Sequence, residues 1–196
     1  MRRLINRAFK AYYSFRMNHI EHFMQHPHEV QESVLKNLLD VTQDTEWGHT
    51  YDYASIKSPH TFAGRVPIQD YESIKPYIQR MMHGEKDILW PGQVRRFSKS
   101  SGTTSDKSKF IPVSDENLEN CHLKGSWDSM TLFYHQRPDA RIFECKTLLM
   151  AGSLSRFEPH PKTIFGDISA IMVSQMPKIA RPFFTPDIPT ALLQNF

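Results

Sequence analysis

A loop rich in hydroxyl side chains is the stretch of this sequence best suited to chemistry. Five serine or threonine residues and one glycine occupy positions 100–105, and short β-favouring stretches flank them at 94–97 and 110–113. This order predicts a strand, a polar loop and a second strand. Backbone N–H groups and hydroxyls in such a loop can converge on the oxygens of a phosphate, and Gly102 allows a close backbone approach. An exposed Ser/Thr-rich hairpin loop is the alternative that these residues leave open.

Two widespread phosphate-binding patterns do not fit the loop. A Walker loop places Gly-Lys-Ser/Thr directly before a helix, whereas Gly102 precedes a predicted strand. A dinucleotide-binding fingerprint needs three spaced glycines, and this loop has one. Lys107 and Lys109 follow the loop and could add positive charge at its rim, although Lys107 is expected to be only solvated.

Four further segments accompany the loop in a fixed order. They are Val-Pro-Ile-Gln-Asp-Tyr-Glu-Ser-Ile-Lys-Pro-Tyr-Ile at 66–78, Leu-Trp-Pro-Gly at 89–92, Ser-Lys-Phe-Ile-Pro-Val-Ser at 108–114 and Gly-Asp-Ile-Ser-Ala at 166–170. Together with Ser-Ser-Gly-Thr-Thr at 100–104, they resemble the auxin-responsive acyl-acid amido synthetases, the Gretchen Hagen family of adenylate-forming enzymes, and their bacterial relatives. The likeness runs from about Glu29 to the end of the chain, and the ordered set is much more specific than the loop alone.

The resemblance implies an ATP-dependent ligase reaction in two steps. In this family a carboxylate attacks the α-phosphorus of ATP and gives an acyl-adenylate and pyrophosphate, and the amine of an amino acid then takes the acyl group. The first step is needed because oxide is a poor leaving group and AMP is a good one. The implied cofactors are ATP and Mg²⁺, and the implied partners are a carboxylic acid substrate, an amino acid and the missing remainder of the enzyme.

The resemblance also assigns roles to individual residues of the loop. Five of them would bind the β- and γ-phosphates through N–H and O–H donors: Ser100, Ser101, Gly102, Thr103 and Thr104. Lys109 matches a basic position after the family's loop and would act as the catalytic cation that neutralises phosphate charge during attack. An exposed hairpin lysine is its equal alternative. No metal ligand is assigned, because the acid that holds Mg²⁺ in this superfamily would lie beyond Phe196.

The implied fold class is α/β: an incomplete N-terminal domain of an adenylate-forming, acyl-CoA synthetase-like enzyme, with a helical start followed by a mixed sheet with helices. Apolar periodicity predicts helices at 1–26, 28–42, 70–84 and 114–136, a mostly irregular stretch at 51–67, and strands at 94–97, 109–113 and 146–151, the last one buried. Val34 and Leu38 are expected on the buried face of the second helix, and Asp70 at the N-cap of the third. Gly125 either marks close packing of the fourth helix or weakens it, and residues 152–155 are expected to line a cleft. We expect a helical lead-in over about 1–85 and an α/β part over about 86–196. The family's C-terminal domain is absent, so we expect the chain to be a truncated fragment.

The composition fits one packed domain and argues against two classes of partner. Apolar residues make up 39% of the 196, and the net charge is only +3. No basic run is interleaved with stacking aromatics, and no apolar stretch approaches the roughly 20 residues that cross a bilayer. We therefore expect neither a nucleic acid nor a membrane as partner. Cys121 and Cys145 are far apart, which favours reduced thiols in the cytoplasm over a disulfide, although a bond between them stays open.

Two features of the first predicted helix have a second interpretation. Five basic residues precede the first acid, Glu21, as in a cleavable organelle presequence, but the wide aromatic face favours a helix that docks on the domain. Histidines crowd its end at 19, 22, 26 and 28, and some pairs are spaced to share a metal ion. A solvent-facing cluster is favoured, because no cysteine or acid completes a ligand set.

Two functions follow from the sequence. The chain is either the front part of an acyl-acid amido synthetase, supplying the ATP-phosphate loop and inactive by itself, or a non-catalytic nucleotide-binding or regulatory domain derived from such an enzyme. The likeness in the loop supports both, so the sequence indicates descent from a ligase more firmly than activity of this chain.

Overall fold

The chain folds into helices followed by a mixed sheet, as expected for the α/β class. The computed structural model describes residues 2–100 and 108–193. The α-helices are α1 (Arg2–Gln25), α2 (Pro27–Thr42), α3 (Glu46–Thr50), α4 (Pro59–Arg65), α5 (Tyr71–Met82), α6 (Asp115–Asn117), α7 (Lys124–Gln136), α8 (Ile168–Ser174) and α9 (Ile188–Ala191). The strands are β1 (Arg96–Lys99), β2 (Phe110–Val113), β3 (Thr147–Leu148), β4 (Leu154–Arg156), β5 (Ile164–Gly166) and β6 (Phe184–Thr185). A π-helical turn at Leu118–Leu123 joins α6 to α7, and 3₁₀ turns lie at Tyr53–Ser55, Ile142–Glu144 and Arg181–Phe183.

The fold divides into two compact units. Unit 1 comprises Met1–Gln25, Asp115–Leu154 and Gly166–Phe196, and unit 2 comprises His26–Ser114 and Ser155–Phe165. The predicted division near residue 85 into a lead-in and an α/β part remains a prediction.

Unit 2 is built around helix α5 and the strands that follow it. The Asp70 carboxylate accepts a hydrogen bond from the Ser73 N–H at 2.8 Å, so Asp70 is the N-cap that the sequence predicts. The apolar face of α5 packs against the chain that leads into β1. This core consists of Ile78, Met81, Met82, Ile88, Val94 and Phe97. The core therefore holds the start of the hairpin against one helix.

A charged clamp fixes α5 from its solvent side. The Arg80 guanidinium donates to both carboxylate oxygens of Glu46, at 2.9 and 2.6 Å, and to both of Glu85, at 2.9 and 2.5 Å. These hydrogen bonds hold the pKa of each carboxyl below its usual value. Any stability that the two carboxylates contribute is therefore present above their unfolded pKa and is lost as the pH falls through the lowered folded values.

The sheet of four strands carries the hairpin. Its order is β2-β1-β5-β4, and β1 pairs with β2 in antiparallel register from Arg96 opposite Val113 to Lys99 opposite Phe110. The Ile164 N–H donates to the Arg95 carbonyl at 2.8 Å, which attaches the next strand. The two predicted strands that flank the loop, at 94–97 and 109–113, are thus confirmed to within two residues.

Unit 1 packs helix α1 against α7 through aromatic rings. The rings of Phe9 and Phe143 stack with centroids 4.0 Å apart, and Tyr13 stacks on Tyr134 at 5.7 Å. The Tyr134 hydroxyl donates to the side-chain oxygen of Asn6 at 2.8 Å. Burial is the main cause that raises the pKa of Tyr13 to about 12. The first helix is therefore a packed element of unit 1, as its aromatic face favoured.

Two predictions about the lead-in helices were wrong. Val34 and Leu38 were expected on the buried face of α2, but they are 53% and 43% exposed, whereas Leu39 is buried. The stretch 51–67 was expected to be mostly irregular, but α4 and the 3₁₀ turn at Tyr53–Ser55 together cover more than half of it. The signal for α4 was present, since Ser58 caps it by accepting from the Thr61 N–H at 3.1 Å and Pro59 occupies its first turn.

The predicted buried strand at 146–151 was also wrong. Only Thr147 and Leu148 form a strand there, and both are exposed. They pair in parallel with β6, which ends at Thr185. The Leu149 N–H donates to the Thr185 carbonyl at 2.7 Å, and the pairing ends there, before Pro186.

Gly125 lies inside the continuous helical run from 115 to 136 and is expected to weaken it. The sequence left open whether Gly125 marks close packing, but a Cβ added there would meet no heavy atom of the described chain within 4 Å. We therefore expect Gly125→Ala to raise the free energy of unfolding by about 1 kcal/mol, because alanine loses less backbone entropy in a helix. Urea unfolding measures this change. Gly64→Ala is the matched comparison, because it has the same open space in α4 and the same argument predicts a gain there too. A destabilised Gly125→Ala protein would contradict the argument.

Candidate functional site

The predicted phosphate loop leaves and re-enters the sheet at a closed stem. The Ser100 N–H donates to the Lys109 carbonyl at 2.9 Å, and the Lys109 N–H donates to the Ser100 hydroxyl oxygen at 3.3 Å. The first bond extends the β1–β2 ladder by one residue on each side, and the second closes the same pair through the Ser100 side chain. The predicted order of strand, loop and strand is therefore confirmed as far as the stem. The loop itself lies outside the described residues, including four predicted phosphate ligands and one lysine: Ser101, Gly102, Thr103, Thr104 and Lys107.

The stem meets the N-terminal end of helix α5. The Phe110 N–H donates to the Tyr71 hydroxyl oxygen at 2.8 Å. The Nζ of Lys109 lies 5.4 Å from the centroid of the Tyr71 ring, within the range of a cation–π interaction. Hydrogen bonds from the side chain and backbone of Ser73 lower the pKa of Asp70, and the positive charge of Lys109 contributes further. Lys109 is thus an exposed cation beside an aromatic ring and an ionised carboxylate.

The described groups of the stem fit an anionic ligand. The Ser100 oxygen accepts the Lys109 N–H, so its own O–H hydrogen can be donated elsewhere. The Lys109 ammonium carries three further donors and a full positive charge. A hydroxyl and an ammonium at the mouth of a loop rich in serine, threonine and glycine match the oxygens of a phosphate.

Two segments that the sequence singled out separately contact each other in unit 1. The Ser153 N–H donates to the Asp167 carboxylate at 2.8 Å, and the Gly152 N–H donates to the Ser169 hydroxyl at 3.2 Å. The Asp167 N–H in turn donates to the Ser153 carbonyl at 3.1 Å. Gly152 and Ser153, the first two of the predicted cleft residues, therefore pack against the segment 166–170, and the side chains of Asp167 and Ser169 are used for that contact.

A cavity of about 440 Å³ and a second of about 380 Å³ lie within unit 1. The larger one is an apolar groove between α1 and α7, beside the exposed Tyr12. The second is lined by Lys146, Leu149, Met176, Arg181, Phe184, Thr185, Pro186, Asp187, Ile188 and Pro189. Its acid, Asp187, caps α9 by accepting from the Thr190 N–H at 3.1 Å, and hydrogen bonds from Thr190 lower the pKa of its carboxyl. The lining therefore combines two cations, one anion and apolar side chains. Both volumes lie in the range of small-molecule sites.

Other kinds of site find no support in the parts of the chain that the structure describes. Within 2–100 and 108–193, no three His, Cys, Asp or Glu side chains are grouped so as to hold a metal ion. The helices described here include none that is long and apolar enough to span a membrane.

Comparison with known families identifies the family of the chain. A family model described as the GH3 family N-terminal domain matches residues 16–194. The chain belongs to this family. The match includes the loop, both strands of its stem and the segments at 66–78 and 166–170, so the resemblance that these residues carry in the sequence is confirmed.

Individual GH3 proteins are similar over about half of the chain. The chain is 34% identical to the indole-3-acetic acid-amido synthetase GH3.2 of Arabidopsis thaliana over 105 residues, which is 53% of the chain and 19% of that protein. It is 36% identical to the jasmonoyl–L-amino acid synthetase JAR6 of Nicotiana attenuata over 93 residues, 47% of the chain and 16% of that protein. The chain thus matches less than a fifth of the length of either relative.

A solved GH3 structure shows the same fold. The GH3.15 acyl acid amido synthetase is 23% identical in sequence and superposes with a TM-score of 0.70. The superposition covers 85% of this chain and 29% of that chain. The fold class predicted from the sequence, the N-terminal part of an adenylate-forming enzyme, is therefore confirmed.

Two of the site residues predicted from the sequence, Ser100 and Lys109, lie in the part of the chain that the structure describes. The structure places Ser100 opposite Lys109 and leaves both accessible at the stem. Their roles toward a phosphate remain predictions. Sequence reasoning missed Tyr71, which touches both Lys109 and Phe110, because the bond between Tyr71 and Phe110 joins residues 39 positions apart. The only available signal was that Tyr71 lies in the segment 66–78 that carries part of the family resemblance.

Proposed function

We propose that this chain is the nucleotide-binding front part of an ATP-dependent acyl-acid amido synthetase. The observation that carries the proposal is the GH3 match over residues 16–194, which includes the phosphate loop and its closed stem. The reaction class is the joining of a carboxylic acid to the amine of an amino acid. We propose the cytoplasm as its location, because Cys121 and Cys145 are free, exposed thiols of the kind found in reducing compartments.

The substrates that we propose follow from the relatives and from the cavity in unit 1. The two relatives are named for the acid that they join, indole-3-acetic acid or the jasmonoyl group, and for the amido or amino acid part of the product. The cavity of about 380 Å³ has apolar side chains beside Lys146 and Arg181, and these two cations outnumber its one anion, Asp187. That arrangement suits a small carboxylic acid with an apolar body, because the carboxylate needs a cation and the body needs dry surface.

The residues of the loop and stem have distinct tasks in this proposal. ATP supplies the AMP leaving group that makes a carboxylate reactive, with Mg²⁺ offsetting phosphate charge. The loop residues Ser100–Thr104 donate N–H and O–H groups to the β- and γ-phosphates. Lys109 adds the positive charge that opposes the build-up of negative charge when a second anion approaches. The stem bonds between Ser100 and Lys109 fix these donors relative to each other.

Calorimetry with ATP and Mg²⁺ tests the loop assignment. We expect the chain to bind the nucleotide, and we expect Gly102→Asp to weaken binding about tenfold or more, because a carboxylate beside the phosphates repels them and a side chain blocks the backbone approach. Gly125→Ala is the control and should keep the affinity. An unchanged affinity of Gly102→Asp would show that the loop does not bind the phosphates.

ATP–pyrophosphate exchange with a pool of carboxylic acids separates a ligase fragment from a complete enzyme. We expect no robust exchange from residues 1–196 alone, because the matched segments cover only 19% and 16% of the two relatives. Robust exchange by these residues would contradict that expectation. Binding without exchange from the longest natural form of the protein would instead favour the non-catalytic nucleotide-binding hypothesis.

A further inference from the structure

We propose that Tyr71 is a positioning residue of the phosphate site, which acts by holding the Lys109 ammonium at the rim of the loop. The inference rests on the proposed function, since it concerns how the same site binds a nucleotide. It goes further by assigning a task to a residue outside the loop and its two strands.

Two contacts from one side chain reach neighbouring residues of the stem. The Tyr71 hydroxyl oxygen accepts the Phe110 N–H at 2.8 Å, and the Tyr71 ring centroid lies 5.4 Å from the Lys109 Nζ. The first contact fixes the backbone of β2 next to Lys109. The second gives the charged end of Lys109 a defined place. A single residue therefore constrains both ends of the lysine side chain.

Tyr71 is able to do this because it belongs to a rigid element. It is the first residue of α5, directly after the Asp70 cap, and its ring packs against the core of unit 2. Farther along α5, Arg80 is bound to Glu46 and Glu85 by four hydrogen bonds. Helix α5 is therefore fixed near both ends, and the Tyr71 ring at its start is packed in place. The position that the ring offers to the ammonium is constant for that reason.

The gain for binding is preorganisation. A free lysine side chain samples many rotamers, and ordering it on a phosphate loses that freedom. An ammonium that already lies on an aromatic face loses less conformational freedom when the phosphate binds. It can keep the ring contact, because a cation can contact groups on several sides at once. Hydrogen bonds from Ser73 lower the pKa of Asp70, and the positive charge of Lys109 lowers it further, so a carboxylate at the start of α5 attracts the same ammonium.

A double-mutant cycle on ATP affinity tests the inference in the whole chain. We expect Tyr71→Leu to weaken Mg²⁺–ATP binding about fivefold, and Tyr71→Phe, which keeps the ring, to stay within about twofold of the original affinity. In a Lys109→Met background, Tyr71→Leu should cause no further loss, since Tyr71 acts through Lys109. Tyr12→Leu, at an exposed aromatic of unit 1, is the matched control. Equal losses in both backgrounds, or tighter binding by Tyr71→Leu, would overturn the proposal.

A second measurement reports on Lys109 without nucleotide. Reductive methylation with ¹³C-formaldehyde gives each lysine an NMR signal, and Lys109→Arg assigns the one from residue 109. We expect this signal to be shifted by the Tyr71 ring and to move to the free-lysine position in Tyr71→Leu, or in Tyr71→Met if the leucine variant unfolds. An unmoved signal would show that the ring does not hold the ammonium. If the signal moves but the unmodified chain does not bind ATP, the proposed function fails, and the positioning role fails with it.

Discussion

Replacing Phe97 by alanine is expected to lower the free energy of unfolding by about 4 kcal/mol. Phe97 is completely buried, and it is the member of the unit 2 core that β1 contributes. Its removal loses the transfer free energy of a ring and leaves a cavity that the surrounding side chains fill only in part. Since domains of this size are stable by roughly 5–15 kcal/mol, this single change removes a large share of the total.

The same substitution is expected to disturb the position of Ser100 in the candidate site, because Phe97 lies three residues before Ser100 on the strand that enters the loop. Urea unfolding, followed by far-UV circular dichroism, measures the loss of stability. Ile111→Ala is the matched control: it lies on the partner strand, is 52% exposed, and should change stability by about 0.5 kcal/mol or less. Similar losses from the two variants would mean that β1 does not contribute the core side of the hairpin.

The parts of the fold that the sequence predicted are those specified by local signals. Helix α5 has a capping aspartate, an apolar repeat and a closing glycine, Gly84, whose φ of 92° suits a helix end. The strands around the loop were predictable because β-favouring residues border a polar stretch with a glycine. Both signals are confined to a few neighbouring residues, and tertiary packing agrees with them.

The errors arise where distant residues decide the outcome. Nothing local in 146–151 shows that the partner strand β6 is only two residues long, so an apolar run was predicted to be a buried strand. The periodicity of α2 likewise identifies an apolar face without showing which part of it is covered, and Val34 and Leu38 are exposed. Pattern therefore predicts the element, whereas burial depends on what packs against it.

The candidate site shows the same division. The loop and Lys109 could be proposed from sequence because they are adjacent in a motif that resembles a known family. Tyr71 could not, because its relation to Lys109 depends on how α5 and the hairpin pack together. A sequence can propose the ligand-binding groups of such a site more readily than the residues that position them.

Gly166→Ala is expected to lower the stability of unit 1 by about 3 kcal/mol. A Cβ at position 166 would overlap the Ser153 carbonyl oxygen and approach the Leu154 Cα to 3.0 Å. Both obstacles are backbone atoms, and the same Ser153 carbonyl accepts a hydrogen bond from the Asp167 N–H at 3.1 Å. Rotation of a side chain cannot relieve the overlap, so the two segments must separate or distort.

Gly152→Ala is the comparison in which a side chain supplies most of the overlap. Its Cβ would overlap the Asp167 carboxylate group, which can rotate away at the loss of the hydrogen bond from the Ser153 N–H. It would also lie 2.6 Å from the Asp167 Cβ, which only a small shift of the chain relieves. We expect that variant to lose about 1–2 kcal/mol, because it loses one solvent-exposed hydrogen bond and needs only a small shift of the chain. Thermal and urea unfolding of both variants measures the difference. Equal losses would show that the Asp167 side chain is as immovable as the backbone, and a Gly166→Ala protein of unchanged stability would show that the segments at 152–154 and 166–167 do not pack as closely as described.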